Sequence, residues 1–110
     1  MTIDEYQRRA SRTMNWSLTD YQNKYHALHG MVGELGELHS IYQKQYQGHE
    51  ISQTHVKKEL GDLLWFVAEF CTANGWSMEY ICEMNIEKLK KRYPKGFDEE
   101  HSLHREEGDI

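Results

Sequence analysis

Apolar residues recur at threes and fours along most of this chain, and no segment alternates apolar with polar positions well enough to make a strand. The pattern therefore predicts an all-α protein of four helices. Thr2 with Glu5 gives a capping-box signal for a first helix running to about Met14. Thr19 with Gln22 opens a second, along which Tyr21, Tyr25, Leu28, Val32, Leu35, Tyr42 and Tyr46 form the main apolar stripe until Gln47-Gly48-His49 closes it. Ser52 caps a third helix with Val56, Leu60, Leu63, Leu64, Val67 and Cys71 on one side, and Asn74-Gly75 stops it. Ser77 caps a fourth with Met78, Ile81, Cys82 and Leu89 inward. Pro94 forbids helical pairing beyond Tyr93.

Some acids fall on the wrong side of these helices. At about 100° per residue, Glu59 lies inside the apolar arc of the third helix, among Leu63, Phe66 and Phe70, with Asp62 at its edge. On the second helix Glu34 and Glu37 flank Ile41 at the margin of the apolar side. Each pair is spaced i, i+3, which puts both carboxylates on one face. Either pair alone fits an ordinary solvated helix face. Gly33 and Gly36 beside the first pair are poor helix formers, which makes sense where something must approach the backbone closely. If the four acids converge, like charges about 4 Å apart cost about 4 kcal/mol even at an effective dielectric of 20. Such a cluster either holds protons or binds a cation, and all-oxygen ligands favour Mg²⁺ or Mn²⁺ over zinc.

The fourth helix carries a counterpart. Asn85 and Arg92 lie within its apolar arc and Lys88 at its edge, while Lys90 and Lys91 point away. Solvated lysines and a satisfied asparagine explain this stripe as simply. Facing a cation-loaded acid cluster, however, it would suit a polyphosphate, whose oxygens divide between metal, ammonium and guanidinium.

Charge sharpens the picture. The 110 residues carry a formal net charge of −5, and segment 98–110, with six acids and one base, holds all of it. Residues 1–97 are neutral and read as one helical domain, with 98–110 an acidic tail whose first turn is able to pack back on the fold. A neutral body lacks the basic face a nucleic-acid binder needs. The N-terminus has no apolar signal region, and the longest apolar run, Leu63 to Ala68, is too short to span a membrane. Cys71 and Cys82 form no CxxC and read as small buried apolar residues, so the expected compartment is the reducing cytoplasm. The second helix is apolar on more than one side, with Met31, Leu38 and Ile41 besides the main stripe. That predicts a homo-oligomer.

Taken together, Gly33-Glu34-Leu35-Gly36-Glu37, Glu59-Leu60-Gly61-Asp62, Glu83 to Leu89 and Arg92 to Phe97 resemble the MazG-like all-α nucleoside triphosphate pyrophosphohydrolases. That family's signature is ExxE, a spacer, then ExxD, and here 21 residues (38–58) separate the halves. Tyr6, Gln7, Ala10, Arg12, Thr13 and the Gln47-Gly48-His49 turn add to the likeness. The resemblance implies a MazG-like bundle in which Glu34, Glu37, Glu59 and Asp62 ligate Mg²⁺, with Mn²⁺ as a substitute. It implies that Lys88 and Arg92 hold the triphosphate, with Asn85 near the metal or the phosphates. The implied reaction converts a nucleoside triphosphate, ribo or deoxy, to the monophosphate and pyrophosphate, as nucleotide-pool clean-up. Glu37 or Glu59 would orient or deprotonate the attacking water. Dimers or tetramers are expected.

Other histidines and aromatics read more plainly. His55, where relatives often carry a base, is expected as an exposed helix-start residue. His26 and His29 have zinc-like spacing but fall on the polar face of the second helix. Trp16 either stacks on a base or staples the helix junction, the staple being favoured. A di-iron bundle falls away, because no Glu has His three residues later. A non-catalytic helical module that binds nucleotides or a partner remains the alternative, since an intact acid set permits chemistry without proving it.

Overall fold

A computed structural model describes all 110 residues, and it is all-helical: α1 (Ile3–Ser11), α2 (Asp20–Tyr46), α3 (Gln53–Asn74), α4 (Met78–Arg92) and α5 (Glu99–Leu103). No helix is long and apolar enough to cross a membrane. The helix ends follow local chemistry. Thr2 Oγ1 accepts from the Glu5 N–H at 3.0 Å, and Ser52 Oγ from the His55 N–H at 3.2 Å. Thr19 and Gln22 close a full capping box through bonds of 3.1 and 3.0 Å. Gly75, with φ at 72°, supplies the left-handed residue that ends α3. The first helix stops at Ser11, short of Met14, because the N–H groups of Arg12, Thr13 and Met14 reach back only three residues and tighten the chain. Trp16 secures this corner by donating its Nε1–H to the Ser11 carbonyl at 2.9 Å, as a staple of the junction would.

The chain forms two compact units, Met1–Met78 and Glu79–Ile110. In the first, α2 and α3 pack along each other and α1 crosses α3. The partners His26–Glu69 and Gly30–Phe66 step in opposite directions along the two helices, so the pair is an antiparallel hairpin. Its seam is made of small residues. Ala27 and Ala68 are fully buried, and a Cβ at Gly30 would overlap the Phe66 ring. Met14, Cys71 and Ala73 complete the core, so Cys71 fits the small apolar role expected of it. Two polar ties dock α1. Trp65 donates to the Ala10 carbonyl at 3.2 Å, and to Thr13 Oγ1 just past the helix at 2.9 Å, while Gln7 donates to the Trp76 carbonyl and accepts from the Met78 N–H, each at 2.8 Å.

The main apolar stripe of α2 does not face the core: Tyr21, Tyr25, Leu28, Val32, Leu35, Tyr42 and Tyr46 are all exposed. Asn23, Ala27, Gly30, Met31, Glu34, Leu38 and Ile41 face inward instead, buried or half-buried at the same helical spacing. The reason is steric. Small side chains let two backbones approach, whereas a row of tyrosines and leucines holds them apart. On α3, Leu60 and Leu64 are likewise exposed, and on α4 so is Ile81.

In the second unit two acids of the 98–110 segment are held by hydrogen bonds. Asp98 caps α5 by accepting from the His101 N–H at 2.7 Å. Asp109 returns to pair with Arg92.

The seam makes a direct stability test. Gly30→Ala, although a better helix former, should lose about 1–3 kcal/mol to overpacking against Phe66. Urea denaturation measures the loss, and Phe66→Leu added to it should recover part.

Candidate active site

The hairpin brings acids from both helices together. Carboxylate oxygens of Glu34, Glu59 and Asp62 all lie within 4.8 Å of one another. Glu34 and Glu59 are half-buried, and the Oε2 atom of each is buried without a hydrogen-bond partner. Unpaired buried carboxylate oxygens are costly, so this arrangement calls for a positive charge or protons. Asp62 is exposed at the mouth of the group.

Glu37 stands outside this trio but beside it. Hydrogen bonding to Glu59, then repulsion from the Glu59 charge, raises the Glu37 pKa above its ordinary value, with His55 acting in the opposite sense. His55 is exposed as expected, yet its Nε2 lies 3.3 Å from Glu59 Oε1, one turn along α3. The two oxygens of Glu59 are therefore in different settings. One faces His55, and the other is the unpaired atom. Tyr6 adds an aromatic neighbour, its hydroxyl proton held more tightly by burial and by the charge of Asp62.

Gly33 and Gly36 stand in open space within this chain. A Cβ on Gly33 or Gly36 would meet nothing within 4 Å, so no part of this chain approaches there. The crowded position is Gly30, one turn earlier. His26 is exposed, as expected of the polar face, but it has a buried partner. Its Nδ1 lies 2.8 Å from an oxygen of Glu69, an acid only 2% exposed that the helical pattern did not single out. The pair is structural, because Glu69 in the interior requires a partner. Zinc-like spacing to His29 plays no part in it.

On α4, in the second unit, Asn85 and Lys88 are exposed. Arg92, expected to be free for phosphate, is engaged. Its Nε and Nη2 donate to the two oxygens of Asp109 at 2.9 and 2.8 Å, leaving it 9% exposed. This fork-on-carboxylate pairing holds the Asp109 pKa below its usual range, with Arg105 and Lys88 adding to the effect. Lys88, Arg92, Arg105 and His101 line a cavity of about 600 Å³ in that unit. Asp109 lies 17 residues beyond Arg92 with no periodic relation to it, so nothing in the pattern pointed to the pair.

The model of the MazG nucleotide pyrophosphohydrolase domain matches residues 22–97, a span holding both acid pairs and all of α4. The chain belongs to this family. No curated protein and no solved structure matches it. The MazG domain is a pyrophosphohydrolase domain acting on nucleoside triphosphates and is generally metal-dependent, and this chain's donors fit a metal. The donors are all oxygen, two of them are buried and unpartnered, and they converge from two helices.

Crowded acids should cost stability when no cation is present. In metal-free buffer Glu59→Gln is expected to raise the melting temperature by a few degrees, because it removes one of the converging charges. With millimolar divalent cation the order should reverse, the parent chain gaining more than the variant. A variant that melts lower than the parent in both buffers would show that the acids are not strained against one another.

Proposed function

We propose that this MazG protein is a Mg²⁺-dependent nucleoside triphosphate pyrophosphohydrolase, converting an NTP or dNTP to the monophosphate and pyrophosphate in nucleotide-pool clean-up. The observation that carries this reading is the convergence of Glu34, Glu59 and Asp62 with two buried carboxylate oxygens unpaired. These three residues would hold Mg²⁺, or Mn²⁺ in its place, with Glu37 beside them. The bound ion supplies charge neutralisation of phosphate oxygens and of the developing pyrophosphate.

The remaining chemistry falls to side chains. Water attacks the α-phosphorus in line, the bond from that phosphorus to the bridging oxygen breaks, and pyrophosphate leaves with the electron pair. The water's proton goes to a carboxylate. Of the two candidates, Glu37 suits the role better than Glu59. Glu59 is itself one of the acid trio and has one oxygen turned to His55 and the other buried, whereas Glu37 is exposed and outside that trio. Lys88 is an exposed ammonium ready for the triphosphate, Arg92 offers a bidentate fork once its carboxylate partner leaves, and Asn85 lies one turn before Lys88 to hydrogen-bond phosphate oxygens.

The outward stripe of α2 supports a homo-oligomer. Tyr21, Tyr25, Leu28, Val32 and Leu35 make a contiguous apolar surface along one helix, which a second copy would cover.

Pyrophosphate release over a panel of canonical and damaged NTPs and dNTPs, with and without Mg²⁺, tests the activity. Turnover on none of them would sink the enzyme reading in favour of a non-catalytic binding module. Glu59→Gln should lower kcat about 100-fold or more, and Lys88→Ala should instead raise KM about tenfold with kcat little changed. Light scattering tests assembly separately: Val32→Asp with Leu35→Asp should reduce the species to the mass of one chain.

A further inference from the structure

The acidic segment places a carboxylate where the proposed phosphate ligand belongs. Arg92 uses one edge of its guanidinium, Nε and Nη2, to grip both oxygens of Asp109. That edge is also the one by which arginine takes two oxygens of a phosphate. The pair is well shielded, with side chains 9% and 13% exposed. It is also specifically built. Gly108, with φ at 87°, turns the chain, and the Asp109 N–H bonds the Glu106 carbonyl at 3.1 Å, which sets the side chain at Arg92. Asp98 anchors the other end of the segment through the cap of α5. The segment holds six acids, yet it is Asp109 that reaches the guanidinium.

We propose that Asp109 is an autoinhibitory latch: an intramolecular carboxylate that occupies the Arg92 fork in place of a substrate phosphate and is displaced by a polyphosphate. The inference rests on the phosphate role of Arg92 proposed above. The guanidinium remains charged and oriented between turnovers without standing open to solvent. A single carboxylate offers one negative charge and two oxygens. A triphosphate offers several charges, and it reaches Lys88 and the fork together, so it displaces the latch where a weaker anion does not. After cleavage, the returning carboxylate competes with pyrophosphate for the same fork and opposes its rebinding.

Calorimetric titration of inorganic tripolyphosphate into the metal-free chain reads the latch without any turnover. Asp109→Asn keeps the side chain's size and should tighten the dissociation constant about tenfold, the change expected when about nine-tenths of molecules hold the latch closed. Adding Arg92→Ala to Asp109→Asn should abolish that gain, and Arg92→Gln repeats the test with less loss of packing. Glu99→Gln, which changes net charge equally on the exposed face of α5, should leave binding unaltered. Unchanged or weaker binding in Asp109→Asn, with binding still lost in the Arg92 variants, overturns the latch and leaves the phosphate role of Arg92 standing. Equal tightening in Glu99→Gln also overturns it, since bulk charge then explains the effect. Unchanged binding in both Arg92 variants overturns the phosphate role itself.

Discussion

The close approach of α2 to α3 is the constraint on which the site depends. It exists because α2 offers Ala27 and Gly30 to its neighbour, and Phe66 lies where a Cβ on Gly30 would be. Glu34 stands one turn beyond Gly30, and Asp62 and Glu59 one and two turns back from Phe66 on the opposing helix. Because the hairpin is antiparallel, those steps run the same way in space. The contact that buries α2 therefore also draws the carboxylates together. Repulsion among them acts against the hairpin, and burial of the seam beyond them holds it closed. The packing of the seam, rather than any attraction among the acids, therefore sets their spacing.

The same seam contains its own internal comparison. Glu69 and Glu59 both come from the face of α3 that meets α2, about three turns apart. Glu69 is the more deeply buried, and both of its oxygens lie within 2.9 Å of His26. Glu59 and Glu34 each keep a buried oxygen with no partner at all. An acid needed only for folding acquires a partner within the chain, as Glu69 has. Glu34 and Glu59, at the other end of the same seam, have no such partner for their buried oxygens, a cost that a cation would relieve.

Much of this was legible in the sequence. The caps at Thr2, Thr19 and Ser52 and the Gly75 stop are local, and each depends on atoms three or four residues away. Glu59 stood out because an acid inside an apolar arc contradicts the pattern around it. What escaped was whatever two distant segments decide jointly. Periodicity located two apolar sides on α2 but not which one α3 covers, and the larger side chains drew attention to the wrong one. The small residues that govern contact carry little hydrophobic signal. The pairing of exposed His26 with Glu69 was hidden because the two lie 43 positions apart. Asp109 looked like one of many tail acids for the same reason.

Charge placement connects these observations. The chain's formal excess of −5 lies wholly in residues 98–110, yet Asp109 in that segment is neutralised by a buried arginine fork. In the first unit the imbalance runs the other way. That unit belongs to the formally neutral part of the sequence, but it gathers Glu34, Glu59 and Asp62 with no nearby lysine or arginine bonded to them. One unit thus offers acids without a cation, and the other offers a cationic fork already holding an anion. Each unit is therefore unbalanced in its own way: the acids of the first have no cation of this chain, whereas the fork of the second is satisfied by a carboxylate of its own segment.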